Sequence, residues 1–307
     1  MKTPYSGIIP PLATPLRDRD RLDEPGLERL LEHVLGGGVS GLFILGTTGE
    51  GPSLSYRLRR ELIERVCRQV KGRVPVLVGI TDTSFVESVQ MARHSADAGA
   101  QAVVVAPPYY LPEAQPELQE YFEHLVPELP LPLFLYNMPA LTKVSIELET
   151  VRRAMDHPRI IGLKDSSGDM AYFQSAAALL RHRPDWSLLI GPEEKLFDAL
   201  QAGGHGGVSG GANLFPKLYV RLCEAFNAGD LARARELQAQ IQNVSGALYR
   251  IGRHPSSIIK GIKCALACLG ICDDFMAEPF HRFRAEERSL VDSRLKEIRN
   301  ALSKLEL

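Results

Sequence analysis

Residues 131–165 read LPLFLYNMPALTKVSIELETVRRAMDHPRIIGLKD, an apolar run, an amphipathic stretch and a second apolar run. Leu131–Tyr136 and Ile160–Lys164 are almost continuously apolar rather than alternating, as strands buried on both faces are. Ile146–Met155 between them carries helical spacing. The same unit recurs on either side. Upstream strands are expected at Gly7–Ala13, Gly41–Leu45, Val74–Gly79 and Ala102–Ala106, and downstream ones at Ser187–Ile190 and Gly206–Ser209. Helices are expected at Pro25–Leu35, Tyr56–Val70, Phe85–Ala98, Pro116–Val126, Met170–Leu180, Glu193–Ala202 and Pro216–Ala228. Gly and Pro punctuate many joints, among them Gly36-Gly37-Gly38, Gly72, Gly99, Pro130, Pro158 and Gly203-Gly204.

Eight strands alternating with eight helices are the chain order of a closed parallel (β/α)8 barrel, or TIM barrel. A doubly wound open sheet would want a GxGxxG after its first strand, and none is there. Beyond residue 228 the strand signals stop. Asp230–Ala247, Ser256–Leu269 and Ala285–Leu305 predict three helices, so residues 1–228 are expected to form the barrel and 229–307 a helical appendage packed on it.

Composition narrows the function. The 307 residues are 45% hydrophobic and 24% charged, with a net charge of -1. Such a balance gives no electrostatic footprint for nucleic acid or an anionic membrane. No apolar run nears the roughly 20 residues that span a bilayer, and prolines interrupt any export signal at the N-terminus. A cytoplasmic protein is expected. The five cysteines suit no disulfide framework. Cys264, Cys268 and Cys272 would share a helical face as small packing residues rather than metal ligands. No HExxH, DxDxDG, P-loop or paired CxxC occurs, so no metal or nucleotide cofactor is expected.

Barrel active sites form where strands end at their C-termini. Three strands end in reactive groups: Gly46-Thr47-Thr48-Gly49-Glu50 after the second, Tyr136-Asn137 on the fifth, and Lys164-Asp165 on the sixth. The stem of Lys164 leaves apolar surroundings. Desolvation would favour its neutral amine, which can attack a ketone and form an imine. A strand-end lysine could equally reach into water, or pair with Asp165 or Glu193. Tyr136, on the neighbouring strand, is either a proton shuttle or a space-filling aromatic. Thr47, Thr48 and Gly49 offer hydroxyls and backbone N–H groups for a carboxylate, or simply make a turn. Glycines 203, 204, 206, 207, 210 and 211 suit a phosphate site or a tight backbone fit. Lys143, Lys195, Lys260 and Lys263 read as surface charges.

Together, Gly46-Thr47-Thr48-Gly49-Glu50, Pro108-Tyr109-Tyr110, Tyr136-Asn137-Met138-Pro139 and Ile161-Gly162-Leu163-Lys164-Asp165, in this order and spacing, resemble the dihydrodipicolinate synthase / N-acetylneuraminate lyase family. The resemblance covers the whole barrel and the helical tail. It implies that Lys164 forms an imine with pyruvate or another 2-keto acid, and that Tyr136 relays protons. It also implies that Thr47 and Thr48 hold the carboxylate, that Gly191 and Val208 line the pyruvate pocket, and that Tyr110 is lent across a tight dimer within a dimer of dimers. The partner substrate would be an aldehyde.

The chain departs from the synthases at Leu141, where they carry an arginine for the aldehyde's carboxylate. Pro139-Ala140-Leu141 and Ser166-Ser167-Gly168-Asp169 resemble the sialic acid lyases and 2-keto-3-deoxy sugar-acid aldolases instead. Yet sialic acid lyases carry a serine where Gly210 stands and an Asp-Glu pair where Glu193-Glu194 stands, so the contacts expected of Ser166, Glu193 and Gly210 with a polyol have changed. The expectation is a 2-keto-3-deoxy sugar-acid aldolase or a related lyase. The alternatives are the synthase itself, a phosphosugar-binding barrel using the glycines around strand eight, and a silent keto-acid sensor.

Overall fold

The computed structural model describes residues 5–305. Eight parallel strands run β1 Gly7–Ile8, β2 Leu42–Ile44, β3 Val76–Gly79, β4 Ala102–Val105, β5 Leu133–Asn137, β6 Ile160–Asp165, β7 Ser187–Ile190 and β8 Gly206–Gly207. Neighbours in sequence pair in space from β2 to β8, and β8 pairs with β1. The remaining seam, between the β1 segment and β2, is closed by a parallel bridge of Pro11 with Phe43. There the Leu12 N–H donates to the Phe43 carbonyl at 2.8 Å and the Phe43 N–H to the Pro10 carbonyl at 2.9 Å. The expected barrel is formed.

Two strands keep only two residues of their expected runs. β1 stops at Ile8 because Pro10 and Pro11 have no N–H for a ladder. β8 is reduced to two glycines by how closely it packs on β1. A Cβ on Gly206 would lie 1.9 Å from the Gly7 carbonyl oxygen, and one on Gly204 would meet Phe173 at 2.8 Å. These glycines admit backbone and rings, so the tight-fit reading describes them.

The helices α1 Glu24–Leu35, α2 Tyr56–Val70, α3 Phe85–Asp97, α4 Gln115–Glu128, α5 Pro139–Thr142, α6 Leu148–Met155, α7 Met170–Leu179, α8 Leu196–Gln201 and α9 Pro216–Asn227 surround the barrel. Several start at capping side chains: Asp23 accepts from the Gly26 N–H, Ser55 from that of Leu58 and Asp169 from that of Ala171. The one-turn α5 was not expected, nor was a hairpin of Leu16–Asp18 with Arg21–Leu22, whose charged sequence gives no strand signal. The helix expected over Glu193–Ala202 splits into a 3-10 turn, Glu193–Lys195, and α8.

The core has two parts. Ile9, Phe43, Leu77, Val104, Phe134 and Leu189 belong to a cluster that fills the barrel. A larger cluster lies between barrel and helices and takes in Val291, Leu295, Ile298 and Leu302 of the tail. That tail comprises α10 Leu231–Leu248, α11 Ser257–Cys268 and α12 Ala285–Ser303. Cys264 and Cys272 are buried in this packing. Among the described residues no helix is long and apolar enough to cross a membrane.

Candidate active site

Parallel pairing of β5 with β6 sets Tyr136 opposite Lys164 and Asn137 opposite Asp165. Both pairs therefore emerge at one end of the barrel. The next residue pair is fixed by a buried network. Asn137 donates its amide to Asp165 at 2.9 Å, while its own carbonyl oxygen accepts from the Ile146 N–H at 3.0 Å. Asp165 also accepts from the Ser167 N–H and hydroxyl. Lys164 thus has no share in Asp165, and Glu193 is engaged elsewhere.

Lys164 is 5% exposed. Its Nζ lies 3.9 Å from the ring centroid of Tyr136 and 4.9 Å from that of Phe43. Burial pushes its ammonium below the usual lysine value, and the Tyr136 phenol opposes this only in part. For Tyr136 burial alone would push the phenol up. The Lys164 charge and the hydrogen bond with the Thr47 hydroxyl, at 3.2 Å, pull it down more, so the net direction is downward. Lysine ammonium, tyrosine ring and threonine hydroxyl thus stand side by side at the mouth.

A cavity of about 240 Å³ lies at this mouth, its wall including Phe43, Thr47, Tyr109, Tyr136, Met138 and Leu141. The two rings beside Lys164 Nζ are part of its wall. None of its lining residues carries a formal charge. Leu141 is 52% exposed at its rim.

The turn that holds Thr47 is tightly built. Leu45 and Glu50 bracket it with positive φ, 59° and 56°, which non-glycine residues adopt at a cost of roughly 1–3 kcal/mol. Gly49 is required by space: a Cβ there would come within 2.8 Å of the Leu12 carbonyl oxygen. Thr14 donates its hydroxyl to the Gly49 carbonyl at 2.7 Å. Thr48 is half-buried in the same turn.

The remaining expected residues divide. Gly191 packs against Ser166, with its N–H on the Asp165 carbonyl at 2.7 Å, so both stand beside Lys164. Val208 belongs with Tyr136 to the barrel-filling cluster. Glu193 is a correction. It is 3% exposed and both its oxygens are engaged, Oε1 by the Tyr219 and Tyr249 hydroxyls at 2.7 and 2.8 Å and Oε2 by the Gly211 N–H at 2.8 Å. It ties the barrel to α9 and α10 and has little left to offer a substrate. Burial pushes its carboxyl up to about 7 despite those three donors. Gly210 faces the same contacts, nearest to Ile262. Tyr110 is 90% exposed with φ 105° and lies outside the cavity that its neighbour Tyr109 lines.

Two features escaped the sequence reading. Lys263 is not a surface charge: it is fully buried, and its Nζ lies 2.6 Å from Glu50 Oε1. Its flanks, Ile262 and Cys264-Ala265-Leu266, were the available signal. The second is a buried Arg59–Asp82 pair at 3.2 Å, joined by the Tyr56 hydroxyl at 3.0 Å. Arg59 also donates to the carbonyl of Pro52, a wall of the cavity.

A model of the dihydrodipicolinate synthetase family matches residues 4–298. The chain belongs to that family. A dihydrodipicolinate synthase from Bacteroides thetaiotaomicron superposes with a TM-score of 0.94 at 54% identity, covering 97% of this chain and 100% of that one. YagE, a prophage protein of the dihydrodipicolinic acid synthase family from Escherichia coli K12 solved in complex with pyruvate, superposes at 0.91 with 30% identity, over 96% and 99% of the two chains. A probable 2-dehydro-3-deoxy-D-pentonate aldolase of Escherichia coli K12, YjhH, is 32% identical over 269 residues, 87% of this chain and 88% of its own. This family member is accordingly an enzyme, a lyase of the aldolase type.

Proposed function

We propose that this lyase forms an imine between Lys164 and pyruvate or a pyruvoyl substrate, and that it makes or breaks a carbon–carbon bond to an aldehyde without a carboxylate at the rim. The observation that carries the reading is the buried Lys164 amine, lowered by desolvation, beside a phenol bonded to Thr47. In the cleavage direction the neutral amine adds to the keto carbon, and loss of water gives the iminium. The C3–C4 bond then breaks, its electron pair moving into the iminium to leave an enamine, while the C4 hydroxyl gives up its proton to a base. Tyr136 is placed to take it, with Thr47 as the next member of the relay. Protonation at C3 and hydrolysis return pyruvate and the amine.

The iminium is itself the electron sink, so we propose that no metal or nucleotide takes part; activity unaffected by EDTA is the expected result. The turn at Thr47 and Thr48 is proposed to hold the pyruvoyl carboxylate.

The uncharged cavity supports a 2-keto-3-deoxy acid that yields a neutral aldehyde. At Leu141 nothing offers the paired N–H donors with which an arginine holds a carboxylate. A synthase joining pyruvate to aspartate semialdehyde is the second reading, supported by the Bacteroides relative. Pyruvate release from a panel of 2-keto-3-deoxy sugar acids, set against condensation with aspartate semialdehyde, separates the two. Efficient synthase kinetics in the unmodified enzyme would refute the first. Exposed Tyr110 and Leu111 favour a homodimer in which Tyr110 serves the partner's site, within a dimer of dimers. A fully active monomer in sedimentation at micromolar concentration would contradict this.

A further inference from the structure

Glu50 closes the turn on which the proposed carboxylate site rests. Its N–H donates to the Thr47 carbonyl at 3.0 Å, and the next N–H, of Gly51, to the Gly46 carbonyl at 3.2 Å. Its side chain points the other way, into the C-terminal appendage. There Oε1 meets Lys263 Nζ of α11 at 2.6 Å, and Oε2 accepts from the Ala277 N–H at 2.8 Å. The carboxylate and ammonium are 2% and 0% exposed.

Stability is a poor explanation for such a pair. Taking both charges out of water costs several kcal/mol each, and a buried ion pair is often no more stabilising than apolar side chains of similar volume. Geometry and charge explain it better. A residue held at φ 56° needs its surroundings to fix it. An uncompensated carboxylate beside Thr47 would also repel an anionic substrate, and Lys263 neutralises it.

We propose that Glu50 and Lys263 are positioning residues: from the appendage, their ion pair holds the Thr47–Thr48 turn in the shape that receives the substrate carboxylate. The tail is then part of the active site although none of its residues lines the cavity. This inference rests on the imine reading, and the test separates the two.

Borohydride trapping of pyruvate is measured against pyruvate concentration in the intact chain and in Lys263→Met, Glu50→Gln and Leu295→Ala. The last is a core truncation on α12 that leaves the ion pair in place and controls for lost stability. Glu50→Gln is isosteric and keeps an acceptor for Ala277, so it serves if Lys263→Met does not fold. Both pair variants should need roughly tenfold or more pyruvate for half-maximal trapping, in line with the cost of small misplacements. Leu295→Ala should stay near wild type even with a lowered Tm. Wild-type pyruvate dependence in the folded pair variants, or an equal shift in Leu295→Ala, overturns the inference. Absence of trapping in the unmodified protein would sink the imine reading, and this inference with it.

Discussion

Lys164 and Lys263 are both buried lysines, 5% and 0% exposed, and their surroundings differ in one respect. Lys263 has a carboxylate at 2.6 Å. Lys164 has two aromatic faces, one of them a phenol, and its neighbour Asp165 is taken by Asn137 and Ser167. A carboxylate beside a buried lysine fastens two parts of the chain together. Without one, desolvation favours the neutral amine, and that is a nucleophile. Burial alone therefore does not favour a neutral amine; burial without a compensating carboxylate does. Two buried glutamates differ in their partners. Glu50 faces the Lys263 ammonium at 2.6 Å, and Glu193 meets two tyrosine hydroxyls and a backbone N–H. Burial pushes the Glu193 carboxyl up to about 7.

The strongest way to break this comparison is to change the two lysines in turn. Lys164→Ala and Lys164→Arg should both reduce turnover to background, because a guanidinium stays protonated and cannot attack. Lys263→Met should keep the nucleophile and lose pyruvate affinity. Equal loss from both, with no pyruvate trapped by folded Lys263→Met, would erase the distinction.

Tyr136→Phe sharpens what the phenol does. Turnover should fall by roughly 10²–10⁴-fold, typical of general acid–base catalysis, while some trapping survives. The phenol also raises the Lys164 pKa against the larger effect of burial. Trapping grows as pH rises and the amine loses its proton. The rising limb in wild type should thus lie below the usual lysine range, and in Tyr136→Phe it should move further to acid. A shift to alkaline pH would contradict the coupling.

At the mouth, Leu141→Arg should raise condensation with aspartate semialdehyde by roughly tenfold through a new bidentate contact, leaving Lys164 trapping unchanged. No gain would show that carboxylate recognition is not decided at this rim.

The last prediction concerns stability rather than turnover and falls on Glu193. Below pH 4.5 its carboxyl is protonated in folded and unfolded chains alike. Between 4.5 and about 7 the folded chain holds the proton and the unfolded chain releases it, so stability falls as pH rises through that window. The span corresponds to about 3 kcal/mol at most. Glu193→Gln should flatten this slope in Tm against pH; an unchanged slope would place the titration elsewhere.

Much of the fold was legible because strands covered on both faces are nearly uniform apolar runs, as at Leu133–Asn137 and Ile160–Asp165. The hairpin at Leu16–Leu22 was not, since Asp18-Arg19-Asp20-Arg21 carries no apolar pattern. In the site, adjacent strand ends were enough to bring Lys164 and Tyr136 together. Pairings distant along the chain were not readable. Glu50 and Lys263 are 213 residues apart, and Glu193 meets its tyrosines across 26 and 56. A carboxylate opening a helix beside a barrel mouth looks free until the elements that cover it are in place.

The most direct test is incubation with pyruvate, reduction with borohydride and mapping of the adduct by mass spectrometry. The account predicts one reduced pyruvoyl unit per chain, on the peptide containing Ile161–Asp165, and none in Lys164→Ala. Labelling of another lysine, or persistent turnover in Lys164→Ala, would contradict it.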